Sequence, residues 1–308
     1  MSRKILNYIC AFALAGAGCN SATEEKAPAH AAPDYSSLHA VADSLAKATP
    51  SNIAFALVNI ETGDTFSHNG DAHMPTQSTI KFPLALMVLN EVDNGRLSLD
   101  SIIHISKKEL PEYTYSPMRD SMGNKPGTQS IHDMLVFMTT VSDNISCYIF
   151  TRMMGGYTGV ETYIKSQGVQ GIHLTGNADD PIIDFSRPYE NWITPKDMAV
   201  LMVKFYKGKV VSRASTDTLR QIMERTTGGA GRIKGLLPAG TVVAHKTGSS
   251  GTENGFTVAV NDIGIITLPN GNHLALAVYV SDVQGDMAAG EAIIANIARK
   301  LYDIATEQ

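Results

Sequence analysis

Residues 78–89 read STIKFPLALMVL, and this stretch marks the point at which the chain changes from strand-forming to helix-forming sequence. The apolar run Phe82–Leu89 predicts a buried helix, and Pro83 is compatible with it because the first turn needs no N–H donor there. Residues three apart lie on the same side of a helix, so we expect Ser78 Oγ and Lys81 Nζ to meet. Burial would disfavour the ammonium form of Lys81, and the free N–H groups of a helix start favour negative charge near Ser78.

Strand patterns lie on both sides of a helical middle. The strand-like segments are 53–60, a second strand through Phe66, 241–245, 256–261, 263–268 and 274–281. Helical spacing of apolar residues marks 37–48, 80–93, 130–138, 144–153, 158–167, 195–206, 215–225 and 291–304. A sheet built from both chain ends around a helical insertion predicts an α/β (α+β) fold of two lobes. The expected divisions are an α/β lobe over 35–77 and 229–308 and an all-α lobe over 78–228.

The N-terminus has the layout of an export signal. Two basic residues precede the apolar run Ile5–Leu14, and small residues follow immediately before Cys19. This order is typical of a secretory signal peptide, which we place at 1–18, and the run is too short to span a bilayer. A cysteine directly after the small residues resembles a bacterial lipoprotein signal, although Gly16 stands where that signal usually has leucine. We therefore expect a periplasmic protein anchored by a lipid on Cys19, with 19–34 as a flexible tether.

Composition narrows the function classes. The chain has 308 residues, 44% of them hydrophobic, and a net charge of −5. This composition suits a large core and argues against binding to nucleic acid or to an acidic membrane. The nine histidines and three cysteines show no metal-ligand spacing, so we expect no metal and no other cofactor. With Cys10 removed and Cys19 lipidated, Cys147 has no partner for a disulfide.

Two further triplets accompany the serine and lysine at 78 and 81. Ser142-Asp143-Asn144 precedes a predicted helix, and Lys246-Thr247-Gly248 ends a strand-like run. Each has an ordinary structural explanation, namely a helix N-cap for the first and a strand leading into a turn for the second. A Ser-x-x-Lys spacing alone is also weak evidence, because Ser44 and Lys47 have it on a predicted surface helix. The three motifs together, in this order, are improbable as coincidence.

These motifs resemble the active-site elements of the class A serine β-lactamases, within the superfamily that includes the penicillin-binding transpeptidases. The resemblance covers nearly all of the chain after the signal. The segments that match the extended-loop branch of that family are Gln77–Pro83, Leu89–Glu91, Arg232–Pro238 and Asn261–Gly264. It implies an antiparallel sheet flanked by helices, a helical lobe, and hydrolysis of β-lactam antibiotics, which confers antibiotic resistance. The implied partner is a small-molecule β-lactam, and we expect a monomer.

The resemblance also implies a role for each site residue. Ser78 would be the nucleophile, Lys81 its base or proton relay, and Ser142 the donor of a proton to the lactam nitrogen. Substrate-binding residues would be Asn144, Lys246, Thr247, Ser249 and the aromatic gate residue Tyr115. The backbone N–H groups of Ser78 and Ser249 would form the oxyanion hole. Arg232 would either support the carboxylate site or form a structural ion pair.

One expected residue is missing. The family uses a loop glutamate to activate the water that releases the acyl group, and counting from either side places Ala178 at that position. No glutamate occurs between Glu161 and Glu190. Asp179 or Asp180 could substitute only with a shorter side chain, and Pro181 restricts the backbone of Asp180. We therefore expect complete acylation machinery but slow deacylation.

Three alternatives share parts of this pattern. A penicillin-binding DD-peptidase normally lacks the deacylating glutamate, but the chain length and local matches favour the lactamase family. A non-hydrolysing β-lactam-binding protein or sensor would trap its ligand covalently, although the sequence has no second long apolar span. A glutaminase also contains Ser-x-x-Lys, but the export signal and the Lys-Thr-Gly strand argue against it.

Overall fold

The computed structural model describes residues 33–176 and 187–307. The strands are β1 Asn52–Asn59, β2 Thr65–His68, β3 Met74–Pro75, β4 Ile102–Ile105, β5 Gly127–Ser130, β6 Ile172–His173, β7 Trp192–Ile193, β8 Val243–Ser249, β9 Thr252–Glu253, β10 Phe256–Thr267 and β11 His273–Gln284. The helices are α1 Ser37–Ala48, α2 Lys81–Asp93, α3 Pro117–Ser121, α4 Ile131–Thr140, α5 Asn144–Met153, α6 Gly156–Ser166, α7 Pro195–Tyr206, α8 Arg213–Glu224 and α9 Met287–Thr306.

The main sheet is built from both ends of the chain. Its strand order is β2-β1-β11-β10-β8, with β9 paired to β10, and every neighbouring pair is antiparallel. The central pairing of β1 with β11 joins segments more than 200 residues apart, from Asn52 opposite Ser281 to Asn59 opposite Leu274. The antiparallel α/β fold expected from the sequence is therefore confirmed, and β8 is an edge strand.

Each face of this sheet contributes to a different hydrophobic core. Phe55 and Leu57 of β1 pack with residues of α1 and α9, such as Leu38 and Leu301. Ala54 and the alternate residues of β11 face the other way, into a core formed with α2 and α4 to α8. Because successive strand side chains point to opposite faces, one strand serves both cores.

The boundaries of the predicted elements agree with the structure in most places. Helix α1 has the predicted bounds, and α2 begins one residue later than expected. The two segments expected at 256–261 and 263–268 are one continuous strand, β10. Two small strand groups, β4–β5 and β3–β7–β6, were not anticipated because they are short and have no apolar alternation.

The predicted lobe boundaries remain a prediction. The signal peptide at 1–18 and most of the tether, including Cys19, lie outside the described residues. Within 33–176 and 187–307, no helix has both the length and the apolar character needed to cross a membrane.

Candidate active site

Ser78 lies in a single 3₁₀ turn, Gln77–Ile80, that leads directly into α2. The residue before it, Gln77, is buried and has a left-handed backbone with φ of +45°, which is uncommon outside glycine. The buried amide of Asn261 on β10 donates from Nδ2 to the carbonyl oxygens of Pro75, at 2.7 Å, and Thr76, at 3.3 Å. The sheet therefore holds the segment that presents the serine.

The amine of Lys81 is buried and points to the loop between α4 and α5. Its Nζ donates to the carbonyl oxygen of Ser142 and to Asn144 Oδ1, both at 2.7 Å, and lies 3.1 Å from Ser142 Oγ. Among the described residues, no hydrogen bond joins this amine to Ser78 Oγ, so the expected direct contact is not formed. The amine of Lys81 instead binds two oxygens of the Ser142–Asn144 loop. Burial lowers the pKa of Lys81, opposed by the nearby Cys147 and Asp143.

Ser142 lies between two buried lysines. Its Oγ is 3.1 Å from Lys81 Nζ and accepts a hydrogen bond from Lys246 Nζ at 3.1 Å. The residue has a left-handed backbone with φ of +59°, which places it at a sharp change of direction between α4 and α5. When Lys81 is neutral, Ser142 can accept from Lys246 and donate to Lys81, so a continuous path for a proton exists.

Asp143 holds this loop in place, a function that the sequence analysis missed. Its Oδ1 caps α5 by accepting from Ser146 N at 2.8 Å. Its Oδ2 accepts from Ser116 Oγ at 2.6 Å and Met118 N at 2.8 Å, which ties the loop to the segment that carries Tyr115. The helix cap considered for Ser142-Asp143-Asn144 is therefore real, but the aspartate forms it. An aspartate immediately before a helix was the available signal.

The edge strand β8 forms the opposite wall of the site. Lys246 is buried, and its Nζ also donates to the carbonyl oxygen of Thr247 at 2.8 Å. Burial, followed by the charge of Lys81, lowers the pKa of Lys246 well below its usual value. Gly248 permits the close approach of this strand, because a Cβ there would lie 2.9 Å from the carbonyl oxygen of Thr76 and 3.1 Å from Ser78 N.

Arg232 forms the structural ion pair that the sequence analysis left open, and it also contacts the end of β8. Its Nε pairs with Glu291 Oε1 on α9 at 3.0 Å, which is the structural ion pair. Its Nη2 donates to Ser249 Oγ at 2.6 Å, and its Nη1 donates to the carbonyl oxygens of Gly248 and Asn261 at 3.0 and 2.8 Å. A single buried guanidinium thus connects the end of β8 to β10 and α9.

A cleft of about 370 Å³ collects most of the predicted site residues. It is lined by Ser78, Tyr115, Ser142, Asn144, Thr247, Ser249, Ser250 and Gly251. Tyr115, which lines the cleft, is 59% exposed, whereas Lys81 and Lys246 are buried and contact Ser142. The cleft therefore presents several hydroxyl groups and the amide of Asn144 to one small molecule, and two buried amines contact Ser142 in its lining.

The residues expected to govern deacylation, Ala178, Asp179 and Asp180, lie outside the described residues. The described ends of that loop are joined by Asn191, whose Oδ1 accepts from Thr175 N at 2.8 Å. The carbonyl oxygen of Asn191 also accepts from Thr76 N at 2.9 Å, two residues before Ser78. The base of the loop is thus attached to the segment that presents the serine.

Comparisons with known proteins agree with this geometry. The chain matches the beta-lactamase enzyme family over residues 37–305. It is 38% identical to β-lactamase VEB-1 of Pseudomonas aeruginosa, over 83% of this chain and 86% of that protein. A β-lactamase structure from Chitinophaga pinensis matches with a TM-score of 0.83 and 40% identity, covering 87% of this chain and 99% of that one. The structure of TLA-3 extended-spectrum β-lactamase gives the same TM-score and identity, with coverages of 88% and 98%.

The chain therefore belongs to the class A serine β-lactamases, as the sequence motifs predicted. It is an enzyme that hydrolyses β-lactams.

Proposed function

We propose that the enzyme acts through an acyl-enzyme formed on Ser78 and that its deacylation step is slow. The observation that carries the first part is the hydroxyl of Ser142, which lies 3.1 Å from the amines of both Lys81 and Lys246 at the cleft that contains Ser78. The second part is supported by the sequence alone, which has Ala178 at the position of the deacylating glutamate.

Acylation begins when Ser78 Oγ adds to the lactam carbonyl carbon. Its proton passes to the neutral amine of Lys81, whose pKa is lowered by burial. The lactam C–N bond then breaks, the nitrogen takes the hydroxyl proton of Ser142, and Ser142 regains a proton from Lys81. The backbone N–H groups of Ser78 and Ser249 stabilise the oxyanion, and each such donor contributes about a hundredfold or more to the rate.

Substrate binding uses donors that remain available in the cleft. Asn144 Nδ2 donates to Thr114 Oγ1 at 3.2 Å and has a second hydrogen for the side-chain amide of the substrate. Lys246, Thr247 and Ser249 bind the substrate carboxylate, and Arg232 adds positive charge behind Ser249. Tyr115 covers the substrate at the mouth of the cleft.

Deacylation requires a water molecule activated by a base. An alanine at 178 supplies no base, and an aspartate at 179 or 180 would place its carboxylate about 1 Å short, a displacement that costs roughly a hundredfold in rate. The two half-reactions are separable, so loss of the second leaves the first intact.

Stopped-flow measurement with nitrocefin tests this mechanism. The expected trace is a burst of one equivalent of opened product per enzyme, followed by a slow steady state. Ala178→Glu should accelerate the slow phase and leave the burst rate unchanged. Sustained turnover at ordinary class A rates without a burst would contradict slow deacylation. A D-Ala-D-Ala peptide is the control substrate, and its hydrolysis would favour a DD-peptidase instead.

We also propose that the enzyme is exported to the periplasm and anchored by a lipid on Cys19. The order of basic, apolar and small residues before Cys19 supports this proposal. Labelled palmitate should enter the wild-type protein but not Cys19→Ser, which should appear in the soluble periplasmic fraction. Equal labelling of both proteins, or retention of both in the cytoplasm, would contradict it.

A further inference from the structure

A buried acid–imidazole pair lies behind the strand that carries Lys246. Both side chains, His245 on β8 and Asp262 on β10, are fully buried, and His245 Nδ1 lies 3.0 Å from each carboxylate oxygen. The cross-strand register places Gly264 opposite His245 and Thr247 opposite Asp262, so the two side chains share one face of the sheet. Lys246, opposite Ile263, is on the other face.

The same carboxylate reaches a second element of the site. Asp262 Oδ2 accepts a hydrogen bond from Ile233 N at 3.2 Å. Ile233 directly follows Arg232, and His245 directly precedes Lys246. Asp262 therefore binds the residue next to Lys246 and the residue next to Arg232, the two cations that we place near the substrate carboxylate.

The hydrogen bonding between His245 and Asp262 holds the carboxylate of Asp262 in one orientation. A carboxylate only accepts, so the proton of His245 is on Nδ1. Nε2 is buried and has no hydrogen-bond partner among the described residues. The ring of His245 therefore orients the carboxylate of Asp262 through Nδ1.

Several charged groups near Lys246 affect the stability of its ammonium form. The charges of Lys81 on α2 and of Arg232 disfavour the ammonium form of Lys246, whereas Cys147 on α5 favours it. Burial and the two cations lower the pKa of Lys246, and the negative charge of Asp262 acts in the opposite direction. Two cations and full burial would otherwise favour the neutral amine.

We propose that Asp262, oriented by His245, is a positioning residue that holds β8 and the Arg232 segment in place for binding of the substrate carboxylate and favours the ammonium form of Lys246. This inference rests on the proposed role of Lys246 in substrate binding. Asp262 touches no substrate atom and acts through its two neighbours.

The test is the pH dependence of kcat/KM for nitrocefin in Asp262→Asn. Removal of the negative charge lowers the pKa of Lys246, so the ammonium form is lost at a lower pH. The alkaline limb of the profile should move to lower pH, through a rise in KM. The methyl ester of nitrocefin has no carboxylate, so its profile should not move. An unchanged limb, or an equal shift with the ester, would overturn the inference.

Two further variants separate charge from structure. Asp133→Asn makes the same chemical change at an exposed residue of α4 and should leave the profile unchanged. His245→Asn keeps the carboxylate and offers it an amide donor, so its limb should stay at the wild-type pH whatever its absolute rate. A limb that moves as far in His245→Asn as in Asp262→Asn would show that packing, not charge, is responsible.

If Asp262→Asn does not fold, the double variant His245→Asn/Asp262→Asn replaces the pair with two amides that can hydrogen-bond to each other. It also removes the charge, so the same shift is expected, and its absence would overturn the inference. A wild-type enzyme that forms no adduct on Ser78 would instead contradict the proposed function. Acylation with an unmoved limb would contradict only the role of Asp262.

Discussion

At the scale of single residues, the environment of Lys81 decides how a serine becomes a nucleophile. The lysine is fully buried, and its nearest oxygens come from Ser142 and Asn144, about sixty positions later in the chain. The Ser-x-x-Lys spacing predicted that the amine and Ser78 belong to one site. It could not predict which oxygens the amine would bind, because these come from a different part of the chain.

Replacement of Lys81 by arginine tests its proposed role as a base. A guanidinium keeps the positive charge and the donors but does not deprotonate, so acylation by nitrocefin should fall about 10³-fold. In the wild type, the acylation rate should rise with pH through the pKa of Lys81, which burial places below its usual value. Stopped-flow rates across pH measure both effects. Near-normal acylation by Lys81→Arg would exclude the lysine as the base.

A second prediction concerns Asp143, whose carboxylate accepts three hydrogen bonds while fully buried. Asp143→Ala leaves those donors unpaired and removes the cap of α5, so the free energy of unfolding should fall by about 3 kcal/mol. Urea denaturation measures the change. Asp133→Ala, on an exposed residue of α4, should alter it by less than about 0.5 kcal/mol. Equal effects of the two substitutions would show that Asp143 does not hold the loop.

At the scale of secondary structure elements, apolar spacing located the helices and strands well because each repeats with a fixed period. Its failures have local causes. The expected break near 262 in β10 came from the polar residues Asn261 and Asp262, which are buried in the structure and hydrogen-bonded to distant groups. The start of α2 moved to Lys81 because the strained Gln77 begins a 3₁₀ turn before it. Neither feature has a signal in the neighbouring sequence.

The approach of β8 to the turn around Ser78 depends on one glycine. A Cβ at Gly248 would lie 2.9 Å from the carbonyl oxygen of Thr76, so Gly248→Ala must push the strand away from Ser78. We expect kcat/KM for nitrocefin to fall about a hundredfold, since a displacement of 1 Å has that effect on a catalytic geometry. Val242→Ala, at an exposed residue immediately before β8, is the control and should leave kcat/KM unchanged. Similar activity of both variants would argue against an oxyanion hole between β8 and the turn around Ser78.

At the scale of the whole molecule, one sheet serves two cores, and this makes the described part of the chain a single cooperative unit. Leu135 on α4 lies in one core and Leu301 on α9 in the other, both fully buried. Alanine at either position should lower the free energy of unfolding by about 3 kcal/mol. Each substitution should shift the same single unfolding transition, whether unfolding is monitored by near-ultraviolet circular dichroism or by loss of activity. Val200→Ala, on an exposed residue, is the control. Two separate transitions would contradict this coupling.

The order of strands and helices was sufficient to predict a sheet built from both chain ends. The pairing register and the contact between α9 and Arg232 could not be predicted from the sequence, because long-range pairing depends on side chains that fit together only once the sheet exists. The function followed from three short motifs, and the expected defect followed from one alanine at 178.

Intact-protein mass spectrometry after mixing the enzyme with nitrocefin shows whether a slowly hydrolysed acyl-enzyme forms on Ser78. A covalent adduct with the full mass of the β-lactam should accumulate, map by peptide analysis to Ser78, and persist for longer than the mixing and acylation times. Ser78→Ala should show none. An adduct on Ser78→Ala, or turnover with no adduct on the wild type, would contradict the claim.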